Sequence, residues 1–356
     1  MAAPARGPLA ALAALAFAAG CSSGAGAAPT ITSTARPGVA PVPPKQGAYF
    51  GAWMPPDAAG PSPSGSPSGS PSEAAGGPSG SPSFRPVPGP VGDLERDLGR
   101  RLDIVQSYRG WKSAFPSRDD SQLLNAGDRY LLLSWAGTDT REIVSGKHDR
   151  LIQERARAIK ATGKPIFLRW QRDMDKESLR DSRIYGPADF IAAWKHLRGI
   201  FQREGVDNVA WVWCPTAGGF GSRNAPSFYP GDDQVDWICV NAQPGGEYDY
   251  RDLSESLKLF LEWADDRPKP IMVAEFGVPK SYGVRRAEWL RKAAETLQNP
   301  RVKAVVYFNS DEQATESRDE RRRYAVTGDN QAVSALRELA TTPYFNPRNL
   351  PVTSGG

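Results

Sequence analysis

Two carboxylates follow short apolar segments that are typical of buried strands. Glu275 lies near the end of the segment Lys269 to Gly277, after five largely apolar residues, and Asp173 comes three residues after the segment Pro165 to Trp170. Glycoside hydrolysis uses such a pair, because one carboxyl group protonates the leaving oxygen while the other attacks the anomeric carbon. We therefore predict that Asp173 and Glu275 are catalytic residues.

Each carboxylate has an alternative interpretation. Glu275 could be a structural carboxylate inside the fold, ion-paired for example with Arg169. Asp175 or Glu177 could supply the acid in place of Asp173, although each lies further from the end of the apolar segment. The greater distance from the strand end makes the geometry of these two alternatives weaker.

Aromatic residues end several apolar segments of the chain. Aromatic faces stack on sugar rings, so aromatic side chains around one rim indicate a sugar-binding cleft. The residues expected at this rim are Trp53, Tyr108, Trp135, Trp170, Trp213 and Phe308. The chain contains ten Trp and eleven Tyr residues, which favours a carbohydrate as its ligand.

Composition excludes several other kinds of site. The net charge is +4 and no run of five or six like charges occurs, so no nucleic-acid partner is expected. Three Cys without a CxxC pair exclude a cysteine-framed zinc or redox site, and two His exclude a site built on three. We expect neither a metal ion nor another cofactor.

Eight short apolar segments, rich in β-branched and aromatic residues, alternate with helical stretches. They are Ala48 to Trp53, Ile104 to Tyr108, Tyr130 to Trp135, Pro165 to Trp170, Val209 to Trp213, Trp237 to Asn241, Pro270 to Phe276 and Val305 to Phe308. Near-continuous apolarity is typical of parallel strands that are covered on both sides. The pattern predicts a (β/α)8 TIM barrel, with a doubly wound open sheet as the alternative. In a barrel, the polar residues at the C-terminal ends of the strands form the active site.

The first residues have the character of an export signal. Residues 1–20 carry Arg6 and then an apolar run that is too short to span a bilayer, as in a signal peptide. The following Cys21 stands in a sequence that resembles a bacterial lipobox, which implies lipidation and anchoring to the outer face of the cell membrane. The alternative is ordinary secretion with a spare thiol. In either case we expect an exported protein.

Low-complexity sequence occupies two stretches. Of the 32 prolines, 16 lie between residues 22 and 92, where charged residues are rare. Such a composition cannot bury a core. We predict a disordered tether over 21–46 and a low-complexity insertion over 55–92, placed after the first strand of a barrel that spans 47–345. Residues 346–356 are predicted to be a C-terminal tail.

From Gly47 to about Phe345 the chain resembles glycoside hydrolase family 26 (GH26), the β-mannanase-like barrels. The segments that carry the resemblance are GAYFGAW, LGRRLDIVQSYRGW, VSGKHD, PIFLRWQRDMD, VAWVWCP, FYPGDDQVDW and KPIMVAEFG. The resemblance implies a retaining endo-β-glycanase with Asp173 as acid/base and Glu275 as nucleophile. It implies a polysaccharide substrate, most often a β-1,4-mannan, with β-1,3-xylan and mixed-linkage β-glucan as less frequent possibilities. We expect a monomer.

The sequence departs from the GH26 pattern around the acid. The family usually has His-Glu-Met-Asn, or a Glu-Met-Asp variant, where this chain has Arg172-Asp173-Met174-Asp175. Losing one methylene draws the carboxyl group back, and a neighbouring guanidinium favours the ionised form of a group that must hold a proton. Gln243 stands closest to the position of a family Tyr that hydrogen-bonds the nucleophile. We expect Arg169, Arg172 and Gln243 to contact substrate.

These departures keep a second functional hypothesis open. In it, the protein is a catalytically weakened or inactive family member that serves as a surface carbohydrate-binding protein. The carboxylate at Glu275 favours the enzyme, because a binding protein has no need for a lone buried carboxylate at that strand end.

Two cysteines lie near the predicted site. Cys214 follows the fifth apolar segment and Cys239 lies inside the sixth. Adjacent strands could bring them together as a disulfide, but we expect buried free thiols.

Overall fold

The computed structural model describes residues 30–33, 35–56, 87, 89–179, 183–244, 250–311 and 320–353. The predicted signal peptide and Cys21 lie outside the described residues, and so does most of the predicted insertion over 55–92. Within the described part, no helix is both long enough and apolar enough to cross a membrane.

Eight parallel strands close into a barrel in the order of the sequence. The strands are β1 Tyr49–Trp53, β2 Ile104–Arg109, β3 Tyr130–Trp135, β4 Ile166–Trp170, β5 Val209–Trp213, β6 Trp237–Asn241, β7 Ile271–Phe276 and β8 Val302–Phe308. The barrel closes where β1 pairs with β8, from Tyr49 opposite Ala304 to Trp53 opposite Phe308. The predicted (β/α)8 barrel is confirmed, and each strand overlaps one of the predicted apolar segments.

Helices follow the strands on the outside of the barrel. They are α1 Pro90–Leu98, α2 Arg118–Asn125, α3 Thr140–Val144, α4 Asp149–Ala161, α5 Pro187–Arg203, α6 Gly218–Gly221, α7 Leu253–Ala264, α8 Arg286–Leu297 and α9 Asn330–Thr341. Short 3-10 turns lie at Glu177–Leu179, Ala225–Phe228, Lys280–Arg285, Glu320–Arg322 and Pro343–Phe345. Helix α5 shows why the sequence forms this layer, since its stripe of Phe190, Trp194, Leu197 and Phe201 is fully buried. An apolar stripe at this spacing needs a surface to cover, and the strands provide it.

Alternate side chains of each strand point into the barrel, because successive residues of a strand face opposite ways. The lower part of the interior is apolar and contains Tyr49, Ile104, Leu132, Phe167, Val212, Trp237, Met272 and Val306. The Phe167 ring meets the Tyr130 and Trp237 rings edge-on, with centroids 5.5 and 5.1 Å away. One step further toward the C-terminal ends, the inward-facing residues become polar. The fold thus places a polar site on top of a filled apolar core.

The N-terminal opening of the barrel is covered by residues that precede β1. The Trp237 Nε1 donates to the carbonyl of Pro41 at 3.4 Å, the Tyr49 hydroxyl donates to the carbonyl of Val42 at 3.2 Å, and Ala40 is buried. The prediction of a disordered tether over 21–46 is therefore wrong for this part. This segment packs against the N-terminal opening of the barrel, and the composition of the segment alone does not show that such a surface is available.

The predicted C-terminal tail is also packed over its first residues. The Thr353 backbone N–H donates to the carbonyl of Gly99 at 2.8 Å, and Val352 forms an isolated bridge with Arg100. These contacts tie the end of the chain to the turn after α1.

Cys214 and Cys239 form a disulfide, so the prediction of free thiols is wrong. Strands β5 and β6 pair with Val212 opposite Trp237 and Trp213 opposite Ile238. This register places the two cysteines side by side, both facing the barrel interior. Residue spacing in the sequence does not give the register, which is what decides the pairing.

Candidate active site

Glu275 enters the barrel through an irregularity between β7 and β8. The register shifts between Val273, which pairs with Val305, and Phe276, which pairs with Tyr307. One extra residue on β7 forms a bulge, and Glu275 takes a positive φ of 52° within it. A bulge of this kind re-aims a side chain. It turns Glu275, which is only 2% exposed, into the top of the barrel.

Four donors converge on one oxygen of Glu275. Oε1 accepts hydrogen bonds from the Tyr108 hydroxyl at 2.5 Å, Arg169 Nη2 at 2.5 Å, Arg172 Nε at 3.1 Å and Gln106 Nε2 at 3.3 Å. The hydrogen bonds that Glu275 accepts from described residues all end on Oε1. They fix the carboxylate and leave Oε2 as the oxygen that can meet a substrate.

The two guanidinium groups keep Glu275 ionised. Burial alone raises the pKa of this carboxyl group, but Arg169 and Arg172, together with the hydrogen bond from Tyr108, more than offset burial and lower the pKa to about 2. Burial and the neighbouring negative charge of Glu275 raise the pKa of Tyr108, so its phenol stays a hydrogen-bond donor. An ionised, oriented carboxylate has the properties of a nucleophile.

Asp173 lies in the turn after β4, with a positive φ of 57° and little exposure. Its backbone N–H donates to the carbonyl of Cys214 at 3.0 Å, which holds the turn against β5. Oδ1 accepts from Asn241 Nδ2 at 2.5 Å, and Oδ2 accepts from Lys176 Nζ at 2.8 Å. Both carboxylate oxygens therefore face a donor.

Arg169 and Asn241 connect the two carboxylates. The Arg169 guanidinium donates to Ser134 Oγ at 2.6 and 2.9 Å, to Asn241 Oδ1 at 3.0 Å and to Glu275 at 2.5 Å. The other end of the Asn241 amide binds Asp173. Only two side chains thus separate Glu275 from Asp173 in the hydrogen-bond network. Arg169 pairs with Glu275 as the structural alternative predicted, and the same contact fixes the orientation of the carboxylate.

Three of the predicted rim aromatics lie together beside this network. The Trp53 ring stacks on Phe308 at 4.8 Å and meets Tyr108 edge-on at 5.0 Å. Tyr324, which the sequence analysis missed, packs on Phe308 at 5.8 Å. The group combines the ends of β1, β2 and β8 into one aromatic wall next to Glu275.

The prediction is wrong for the other three rim aromatics. Trp135, Trp170 and Trp213 are buried between the barrel and its helices. They stack or pack there on Trp111 at 4.6 Å, Phe190 at 5.3 Å and Tyr229 at 5.0 Å. The reason is alternation along the strand. Each tryptophan is next to a residue that faces inward, namely Ser134, Arg169 and Cys214, so each must face outward.

Arg172 and Gln243 differ from their predicted roles. Arg172 pairs with Glu275, not with Asp173, and its guanidinium lies 4.6 Å from the centroid of the Tyr108 ring. Gln243 Nε2 is buried and has no hydrogen-bond partner among the described residues. The tyrosine that binds the candidate nucleophile is Tyr108, on β2.

The alternative acid Asp175 has a structural role. Its carboxylate accepts from the backbone N–H of Thr216 at 2.9 Å and from the Thr216 hydroxyl at 2.5 Å. Burial raises the pKa of Asp175. These contacts hold the loop after β5 and leave Asp173 as the acid candidate. No group of three or more His, Cys, Asp or Glu in the described part of the chain is arranged to hold a metal ion.

Comparison with solved structures gives the same barrel. A GH26 β-mannanase from Bacteroides ovatus matches 84% of this chain and 90% of its own, with 13% identity and a TM-score of 0.57. GH26C from Muricauda sp. matches 86% and 88%, with 15% identity and a TM-score of 0.57. An endo-β-1,4-mannanase from Bacillus sp. matches 84% and 86%, with 13% identity and a TM-score of 0.54.

The fold is that of the GH26 β-mannanases. The resemblance indicated by the sequence motifs is thereby confirmed at the level of structure. No protein-family model matches the chain.

Two curated proteins show sequence similarity as well. Endoglucanase H of Acetivibrio thermocellus is 26% identical over 267 residues, and a β-1,3-xylanase of Alcaligenes sp. is 23% identical over 151 residues. The matches cover 70% and 38% of this chain. In each case the chain spans 28% of the length of the curated relative.

Within this GH26-like barrel, the sequence analysis missed four residues of the hydrogen-bond network around the two carboxylates. They are Gln106, Ser134, Lys176 and Asn241. A signal for three of them is present in the sequence, because Gln106, Ser134 and Asn241 are polar interruptions of apolar strands near their C-terminal ends. Lys176 carries no such signal, since it lies in a polar turn.

Proposed function

We propose that the protein is a retaining endo-β-glycanase that acts on a β-mannan-type polysaccharide, with Glu275 as nucleophile and Asp173 as acid/base. The observation that carries the proposal is the ionised Glu275 carboxylate, turned inward by a bulge and held by four donors on one oxygen. A structural ion pair does not need this convergence. A nucleophile does, because its free oxygen must be aimed at the anomeric carbon.

The reaction follows from the two positions. Glu275 Oε2 attacks the anomeric carbon while the bond to the leaving oxygen breaks, and Asp173 gives its proton to that oxygen. The product is a glycosyl ester on Glu275 and an ionised Asp173. Asp173 then takes a proton from a water molecule, whose oxygen attacks the same carbon and releases Glu275. Two displacements on one carbon retain its configuration.

The substrate class is supported by the names of the similar proteins. The structures with this barrel are described as β-mannanases, and the curated relatives as an endoglucanase and a β-1,3-xylanase. Each of these names describes an enzyme that acts on a polysaccharide, and the names of the mannanases and of the xylanase specify a β-linkage. In the wall of Trp53, Tyr108 and Phe308, Tyr108 is the partly exposed ring that a sugar can meet beside Glu275, and the two buried rings support it.

Export to the cell surface is also part of the proposal. The signal-like residues 1–20 and the lipobox-like Cys21 support it. The Cys214–Cys239 disulfide supports it too, because disulfides persist in oxidising compartments outside the cytosol. We propose a monomer that is anchored through Cys21.

The test is release of reducing ends by the chain without residues 1–20. The substrates are β-1,4-mannan, galactomannan, β-1,3-xylan and mixed-linkage β-glucan. We expect release from a mannan, and we expect Glu275→Ala to lower kcat by at least about a thousandfold. Asp173→Asn should leave kcat/KM for dinitrophenyl glycosides nearly unchanged, because their leaving group needs no acid in the first step. Release that is the same in Glu275→Ala would contradict the proposal.

One observation favours the second candidate, a surface carbohydrate-binding protein. Both oxygens of Asp173 accept hydrogen bonds, from Asn241 and from the cation Lys176, so neither oxygen is free to present a proton to a leaving group. Binding of a glycan recorded beside the release assay separates the two functions. Binding without release, unchanged in Glu275→Ala, would establish the binding protein.

A further inference from the structure

We infer that Lys176 is a positioning residue that occupies Oδ2 of Asp173 in the free protein and must leave this oxygen before Asp173 can present a proton to a leaving group. Lys176 thereby limits the cleavage of glycosides with poor leaving groups. The inference rests on the proposed function, in which Asp173 protonates the leaving oxygen.

The contact between the two residues is direct. Lys176 Nζ lies 2.8 Å from Asp173 Oδ2, and the Lys176 backbone N–H donates to the Asp173 carbonyl at 2.9 Å. A lysine ammonium offers three donors and no acceptor. A proton on Oδ2 would therefore point at another donor, and it can be accommodated only if Lys176 moves away.

The other oxygen of Asp173 is blocked in the same way. Asn241 Oδ1 accepts from Arg169 Nη1 at 3.0 Å, and Arg169 has no acceptor, so the amide orientation of Asn241 is fixed. Asn241 Nδ2 must then donate to Asp173 Oδ1, as it does at 2.5 Å. Asn241 cannot turn away without breaking its bond to a fully buried arginine.

The charged groups around Asp173 differ in their freedom to move. Arg172 is next in sequence but binds Glu275, and Asp175 binds Thr216. Lys176 is the cation in direct ion pair with Asp173 in the described part of the chain, and its side chain is 52% exposed. Asp173 is buried, but solvent reaches the Lys176 ammonium and weakens its attraction to the carboxylate, so a bound glycan can displace the lysine. Lys176 is thus the movable member of the network.

The chemical consequence concerns the first step of the reaction. Water supplies the proton to Asp173, which passes it to the leaving oxygen and regains it from water in the second step. While the Lys176 ammonium donates to Oδ2, this oxygen cannot present a proton to the leaving oxygen. A leaving group that departs as a stable anion does not need this proton, whereas a sugar or phenol does.

The experiment compares leaving groups. Dinitrophenyl and phenyl β-mannobiosides, and the corresponding cellobiosides, are assayed with the wild type, Lys176→Met and Lys176→Arg. The matched control is Lys147→Met, because Lys147 also forms an exposed ion pair, with Glu142 at 2.6 Å, away from the carboxylates. The value kcat/KM reports the first irreversible step, in which Asp173 acts as the acid.

We expect Lys176→Met to raise kcat/KM for the phenyl glycoside about fivefold and to leave the value for the dinitrophenyl glycoside within about twofold. Lys176→Arg should restore the wild-type ratio, because it restores the charge. Lys147→Met should leave both values unchanged.

Two outcomes would overturn the inference alone. One is a change by the same factor for both leaving groups in Lys176→Met, which would show a merely structural or substrate-binding role. The other is a ratio in Lys176→Arg that stays at the Lys176→Met value. Failure of the proposed function looks different: the wild type and Glu275→Ala would then cleave the dinitrophenyl glycoside at the same rate, and the inference would be overturned with it.

Discussion

Buried ion pairs lie at both ends of the barrel, and their partners differ. At the N-terminal end, Arg100 pairs with Asp103 at 2.8 Å. At the C-terminal end, Arg169 pairs with Glu275 at 2.5 Å. Both arginines are fully buried. Each end therefore contains a fully buried ion pair between an arginine and a carboxylate. The other hydrogen bonds of each arginine determine what the pair does.

The N-terminal pair binds the backbone. Arg100 donates to the carbonyls of Arg101, Ala340 and Phe345, and Asp103 accepts from the backbone N–H of Phe50. These bonds connect β1, the start of β2 and the end of α9. A charge that satisfies several backbone carbonyls fastens distant parts of the chain together. We infer that this network stabilises the fold.

The C-terminal pair binds side chains. The hydrogen bonds of the Arg169 guanidinium go to the side chains of Ser134, Asn241 and Glu275, from three different strands. Side chains at strand ends can be exchanged without loss of backbone bonds, which suits the end of the barrel that carries chemistry. The comparison teaches that hydrogen bonds to backbone carbonyls mark the buried ion pair that holds the fold together, whereas hydrogen bonds to side chains mark the buried ion pair of the candidate active site.

The largest test of this comparison replaces each buried arginine by methionine. Arg100→Met leaves three backbone carbonyls and the Asp103 carboxylate without this donor, so we expect the free energy of unfolding to fall by about 3–5 kcal/mol. Turnover per folded molecule should not change. Arg169→Met should lower kcat at least about a hundredfold, because Glu275 and Asn241 lose their orientation. Urea unfolding and reducing-end release measure the two effects.

The matched control for this test is Asp189→Asn, which removes an exposed ion pair with Arg141. We expect it to change the free energy of unfolding by no more than about 1 kcal/mol. A change of kcat in Arg100→Met, or an unchanged kcat in Arg169→Met, would contradict the division between the two ends.

The carboxylates of the two buried ion pairs, Glu275 and Asp103, should change the free energy of unfolding with pH in opposite directions. Glu275 has its pKa lowered from 4.5 to about 2, so its ionised form stabilises the fold above about pH 4.5, and this contribution is lost as the pH falls toward 2. Burial raises the pKa of Asp103 in spite of Arg100, so the contribution of Asp103 is present at low pH and is lost as the pH rises. Arg100 and Arg348 do not offset the burial of Asp103, whereas Arg169 and Arg172, together with the hydrogen bond from Tyr108, offset the burial of Glu275.

The measurement is the free energy of unfolding of the wild type and of Glu275→Gln as a function of pH. We expect the difference between them to be constant above pH 4.5 and to shrink by about 3 kcal/mol at most between pH 4.5 and 2. A difference that stays constant over this window would mean that the guanidinium groups do not favour the ionised form.

Much of this barrel could be predicted from the sequence, because parallel strands covered on both sides are apolar throughout. YLLLSW and KPIMVAEF indicate such strands without any knowledge of their neighbours. The carboxylates Asp173 and Glu275 stand out for the same reason. The direction of Glu275 could not be predicted, since it depends on a bulge whose position is set by the pairing of β7 with β8.

The wrong predictions for the rim tryptophans share one physical cause. Trp170 and Arg169 are neighbours on β4, and only one of them can face inward. An inward arginine pushes the tryptophan into the helix layer, and the same alternation applies to Ser134 and Trp135. The sequence contains this information as a polar residue inside an apolar strand. The Cys214–Cys239 disulfide, in contrast, depends on the register of two strands, which spacing does not contain.

The smallest test uses two arginines that lie over tyrosine rings at opposite ends of the barrel. Arg348 lies 4.2 Å from the centroid of Tyr130 at the N-terminal end, and Arg172 lies 4.6 Å from that of Tyr108 at the C-terminal end. Arg348→Ala should lower the free energy of unfolding by about 1 kcal/mol without changing kcat/KM. Arg172→Ala removes a cation from Glu275 and so raises the pKa of that carboxyl group, which moves the acidic limb of the kcat/KM profile to higher pH. The same stability loss in both variants with an unchanged pH profile would show that the cation at Glu275 is only structural.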